Sequence, residues 1–127
     1  MVIGFVLLCT ITFHLTQRIT RLIGMTLDSR WKSAVIVAAV AISPALYLAG
    51  WPSVYHETEL WSLVFILATF TFLCDVLDDP NKKVVLLATG AAVASILTRV
   101  SVGLGAVSAV IIVGLFIWNK KRPLSLV

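Results

Sequence analysis

Charge is what this sequence has least of. Only 13% of its 127 residues are charged and 60% are hydrophobic, where an ordinary soluble domain has about 25% charged and about 45–50% apolar. With a mean hydropathy of +1.04, a water-soluble core of this length cannot take up the apolar surface, and lipid must cover the excess. Cysteine is nearly missing as well. Cys9 and Cys74 sit in apolar runs with no CxxC spacing, which excludes a disulfide framework and a cysteine metal site. No Lys or Arg precedes the opening run MVIGFVLLCTITF, and neither the basic leader nor the small-residue cleavage site of a signal peptide is clear in it. A helix that opens without a polar flank reads as truncated, and the chain is expected to be a piece of a larger membrane protein. HExxH is absent, since Leu60 stands where its second histidine would be. Gly-rich phosphate loops, nucleophile elbows and Cys/His metal motifs are absent too.

What is present is a succession of apolar stretches at 1–16, 33–50, 60–77, 84–98 and 100–118. The expected fold is all-α, a polytopic transmembrane helix bundle of about five spans forming one domain. A span needs about 20 apolar residues to cross a hydrocarbon core of roughly 30 Å. The stretch 84–98 is the shortest, and Lys82 and Lys83 can snorkel at its end. Pro44 is expected to kink the second span.

The cations sort by face. If the spans alternate, Arg18, Arg21, Arg30, Lys32, Lys82, Lys83, Lys120, Lys121 and Arg122 fall on one side and Arg99 alone on the other. The positive-inside rule makes the crowded side cytoplasmic, with the N-terminus outside, the C-terminus inside and the cell (plasma) membrane as the location. A net charge of +4 therefore indicates orientation and not nucleic-acid binding, because the basic residues sit in short clusters between apolar runs. Trp31 and Trp118 fall at the inner boundary, Trp51 and Trp61 at the outer one, as an aromatic belt requires. Ala88, Ala91, Ala92, Ser95, Gly105 and Ala109 supply small residues at spacings that let helices approach closely.

The outer face also collects the polar residues Tyr55, His56, Glu57, Thr58 and Glu59 before the third span, and Thr98, Arg99 and Ser101 between the fourth and fifth. Arg99 offers a permanently charged fork suited to phosphate or carboxylate; the plainer reading is an arginine snorkelling to lipid headgroups. Glu57 and Glu59 either serve chemistry or complement a helix N-terminus. His56 beside Glu57 suits a proton shuttle or, with the acid, a metal site. Trp61 is an interface anchor or a stacking platform for a sugar. Asp75, Asp78 and Asp79, ahead of Pro80, read as a solvated cytoplasmic turn, and His14 as interfacial.

The string SVYHETELW, an apolar span, a short basic loop, and a second span ending in SILTRVSVGLG together resemble the middle of the C-type integral-membrane glycosyltransferases. These are protein-mannosyltransferase-like enzymes that use polyprenyl-phosphate sugars. The resemblance covers about residues 44–105. It matches Glu57 to an acidic residue in an outer loop just before a span, and Thr98 with Arg99 to an LT-(Arg/Lys) turn. It implies sugar transfer from a polyprenyl-phosphate donor on the extracytoplasmic side, with donor-binding residues among Tyr55, His56, Glu57, Glu59, Thr98 and Arg99. It leaves room for a divalent metal ion with the donor. It also implies many more spans than this sequence holds, supplied by partner membrane helices, and a catalytic acid in a first outer loop that has no counterpart here. No catalytic residue is therefore assigned, and activity of the segment alone is not expected. Two other classes stand beside this one. A non-catalytic scaffold or assembly protein is favoured by the small-residue faces, and a small transporter or channel subunit would use the same polar residues as a pathway.

Overall fold

The structure is a computed structural model that describes residues 2–26, 28–42 and 54–121; the side chains of 40–42, 54, 55, 120 and 121 are outside that description. Among the described residues there are five helices and no strand: α1 (Val2–Leu22), α2 (Ser29–Ile42), α3 (Val54–Asp78), α4 (Lys82–Thr98) and α5 (Val100–Lys121). Three of them contain stretches long and apolar enough to cross a membrane: Val2–Leu22, His56–Asp78 and Val100–Asn119. α4 has 17 residues, about 25 Å at ~1.5 Å per residue. Pro44, Trp51 and the far half of the expected span 33–50 lie outside the described residues.

The helices exceed the apolar runs because polar residues extend their ends. α1 continues through Arg18 and Arg21 and stops at Gly24, whose φ of 71° only glycine adopts freely. Gly24 N–H donates to the Arg21 carbonyl at 3.1 Å and Met25 N–H to that of Thr20 at 3.0 Å, the paired bonds of a Schellman ending. α4 opens on Asn81, whose side chain accepts from Lys83 N–H, filling one of the donors that a helix start leaves unmet. Within the apolar runs, hydroxyls return to their own helix. Thr10 donates to the Val6 carbonyl, Thr12 to Leu8, Thr69 to Phe65, Thr71 to Leu67 and Thr89 to Val85. That arrangement keeps polar groups satisfied where no water reaches.

α3 is the hub. It packs against α1, α4 and α5, whereas α2 touches α1 alone among the described residues. α1 and α3 run parallel. At one end a Cβ on Gly4 would come 3.0 Å from Leu60 Cδ2; at the other Arg18 Nε lies 2.9 Å from Asp75 Oδ1. Leu8, Leu60 and Val64 form the centre of this contact, with Ile11, Trp61, Leu63 and Leu67 around it. Elsewhere the exterior is apolar: Ile3, Leu86, Leu97, Ile112 and Leu115 are all exposed. So many exposed large hydrophobic side chains are what membrane-crossing helices present to lipid.

Small residues are among those that α4 and α5 bury where they pack against each other and against α3. Ala88, Ala92, Ser95 and Ala106 are buried. Gly103 is the tightest point, since a Cβ there would lie 2.3 Å from Ile96 Cα. Gly105, which the spacing singled out, has nothing within 4 Å; the close backbone approach falls at Gly103 instead.

Candidate functional site

One residue separates α4 from α5. Arg99 has φ −157° and ψ 111°, an extended conformation that ends one helix and permits the next to begin at Val100. Its N–H donates to the Ser95 carbonyl and its own carbonyl accepts from Gly103 N–H, both at 2.9 Å. The chain thus reverses with its backbone groups still bonded, and Gly103 lets the two helices close directly below the turn. Thr98 ties into the turn: its hydroxyl donates to the Ser95 carbonyl at 2.9 Å and reaches that of Ala94 at 3.2 Å.

The first turns of α3 stand beside this corner. Arg99 Nη1 donates to Glu59 Oε1 in a charge-assisted contact. The two side chains remain 47% and 33% exposed, so the pair sits at the rim and not in the core. Ser62 Oγ donates to the Glu59 carbonyl at 2.8 Å, and Leu60 is fully buried, which fixes the rotation of α3 that aims Glu59 at Arg99. The partner is thus Glu59, two residues past the Glu57 that the resemblance selects. Glu57 and Thr58 are exposed and His56 is half-buried in the same helical turns. Tyr55 belongs to α3 by its backbone, and its side chain is outside the described residues. The expected donor residues His56, Glu57, Glu59, Thr98 and Arg99 therefore share one end of the bundle.

Trp61 stacks on Phe65, with ring centroids 5.9 Å apart and planes at 28°, and flanks the Leu60 cluster. It takes part in helix packing while remaining partly buried. Among the described residues no three His, Cys, Asp or Glu side chains gather where a metal ion could sit. The corner itself suits a cation poorly, because its nearest carboxylate, Glu59, already faces a guanidinium. The divalent ion that the resemblance allows does not fit these residues.

A second ion pair marks the other end, where sequence reasoning placed only a solvated turn. Asp75 lies within α3, 22% exposed, and pairs with Arg18 of α1. A salient acid inside an otherwise apolar helix run was the signal for it. Cys9 and Cys74 are both free thiols.

No protein-family model matches the chain, and no curated protein or solved structure matches it. The fold thus defines the class by itself: among the described residues it is all-α, with three helices long and apolar enough to cross a membrane.

Proposed function

We propose that the chain is a segment of a plasma-membrane glycosyltransferase of the C type, and that its Glu59–Arg99 corner receives the phosphate of a polyprenyl-phosphate sugar on the extracytoplasmic side. The observation that carries the reading is the place of Arg99. It is the one cation on its face in the charge sorting, held at the helix reversal beside the start of α3. A lipid-borne phosphate travels at that depth and needs a fixed cation there.

The Glu59 contact is compatible with such a role. Exposed ion pairs contribute only ~0.2–1 kcal/mol, whereas a phosphate can take both arms of the guanidinium in charge-assisted bonds of about twice ordinary strength. The donor phosphate displaces Glu59 and occupies the fork. During transfer the bond from the sugar's anomeric carbon to the phosphate oxygen breaks, and its electron pair stays on the polyprenyl phosphate. A preorganised guanidinium stabilises that departing charge. No residue of the corner is assigned to deprotonate the acceptor, so the segment is proposed to bind donor without turning it over alone.

Equilibrium binding of a polyprenyl phosphate to the full chain in nanodiscs tests this. Arg99→Gln is expected to weaken binding by about tenfold, the effect of losing one charge-assisted contact. Unchanged affinity would remove Arg99 from the phosphate.

A second reading is a scaffold for other membrane helices. It is favoured by α2, which touches only α1 among the described residues, and by the small-residue seam of α4 and α5. In that reading Glu59 and Arg99 only fasten α3 to the reversal. Transport is less well supported, because both ion pairs lie near helix ends and neither lies mid-span.

A further inference from the structure

At the end of the bundle opposite Arg99, α1 and α3 part to leave an open groove of about 250 Å³. Ile11, Ala68 and Phe72 form its apolar walls, and His14, Arg18 and Asp75 its polar side. His14 and Arg18 are one helical turn apart on the same face of α1. The ion pair uses one nitrogen of Arg18 and one oxygen of Asp75, at 2.9 Å. Both side chains stay partly exposed, at 36% and 22%, so each group keeps unused donor or acceptor capacity toward the groove. Arg18 and Asp75 lie within the last five residues of α1 and the last four of α3, while Ile11 and Ala68 lie about two turns further into the helices.

We propose that this groove binds an aminophospholipid, a zwitterionic lipid with a primary ammonium. Its phosphate lies against Arg18, with His14 as a further polar contact, and its ammonium against Asp75. One acyl chain runs along Ile11, Ala68 and Phe72. The argument is charge complementarity. A lone cation would select an anionic lipid, but here a fixed cation and a fixed anion stand side by side over an apolar wall. The zwitterion matches both without leaving either unpaired. A primary ammonium donates hydrogen bonds to a carboxylate, which a quaternary ammonium cannot do. This site is separate from the donor corner and does not rest on its assignment.

The test uses the full wild-type chain in vesicles of equal parts phosphatidylethanolamine, phosphatidylcholine and phosphatidylglycerol with matched acyl chains. The chain is extracted gently, and the lipids it retains are counted by native mass spectrometry. Phosphatidylethanolamine is expected to be enriched over each of the others by roughly three- to fivefold, the scale of a partly exposed charge contact. Asp75→Asn should abolish its advantage over both phosphatidylcholine and phosphatidylglycerol, whereas Arg18→Gln, which removes a phosphate contact common to all three lipids, should lower total lipid retention and leave the preference over phosphatidylcholine in place. Helicity by circular dichroism checks that each variant folds, and the wild-type ratio decides the matter even where one does not. Retention of the three lipids in the supplied proportions would overturn the proposal and leave the ion pair as a helix clamp. Preferential retention of phosphatidylglycerol would overturn it in favour of a simple cation site.

Discussion

Gly103 meets Ile96 backbone to backbone: any Cβ at position 103 would fall 2.3 Å from Ile96 Cα and 2.4 Å from its nitrogen. A flexible side chain could move aside, but a helix backbone cannot, so this contact sets how closely α4 and α5 fold back. It thereby sets where Arg99 stands relative to α3. Gly103→Ala is expected to destabilise the protein by about 1–3 kcal/mol, as overpacking does, and to splay the reversal. Gly105→Ala, with open space around it, should stay within about 0.5 kcal/mol of the parent. Unfolding in detergent with both variants side by side checks the contrast, and equal effects would contradict it.

Ser95 is wholly buried, and its hydroxyl lacks a hydrogen-bond partner among the described residues. Several hydroxyls elsewhere in the bundle bond back to their own helix. A buried polar group left unmet costs about 1–3 kcal/mol. Ser95→Ala removes that group with almost no change of shape in the α4 seam. It is expected to raise unfolding stability by roughly 1 kcal/mol, and a loss of stability would show that the hydroxyl does have a partner.

Orientation makes a third prediction. In a background with Cys9→Ala and Cys74→Ala, a cysteine at Ser101 should react with a membrane-impermeant maleimide added outside intact cells. Cysteines at Ser29 or Asp79 should react only after permeabilisation. Labelling of the Ser101 and Asp79 positions from the same side would show that the 17-residue α4 does not cross. A full reversal of the pattern would contradict the outward placement of Arg99.

The helical class was legible from composition, because so apolar a chain has few other ways to satisfy its backbone in lipid. The reversal at Arg99 was legible too, since it is the only charged residue between two long apolar runs. Helix ends were less so: hydropathy marks where lipid begins, whereas Arg18 and Arg21 remain helical until Gly24 ends the turn pattern. The partner of Arg99 was not legible, for it depends on the rotation of α3, which Leu60 and Val64 set by burying themselves against Leu8. The Arg18–Asp75 pair was hidden for a related reason. The acid inside an apolar run marked Asp75, but its partner follows only from α1 and α3 being parallel neighbours, a tertiary fact. The spacing selected Gly105 and missed Gly103: two residues apart, they lie on opposite faces of α5, and which face meets α4 is set by the reversal at Arg99.

The account turns on whether Arg99 is a receptor for phosphate that Glu59 occupies in its absence, and the sign of the Glu59→Gln effect tests that most directly. Binding of a polyprenyl phosphate to the full chain in nanodiscs is measured for the wild type, Glu59→Gln and Arg99→Gln. A receptor predicts opposite responses: Glu59→Gln frees the fork and tightens binding by roughly three- to fivefold, while Arg99→Gln weakens it. If both substitutions weaken binding alike, or neither changes it, the pair is only a fastener between α3 and the reversal, and the donor-site assignment is wrong.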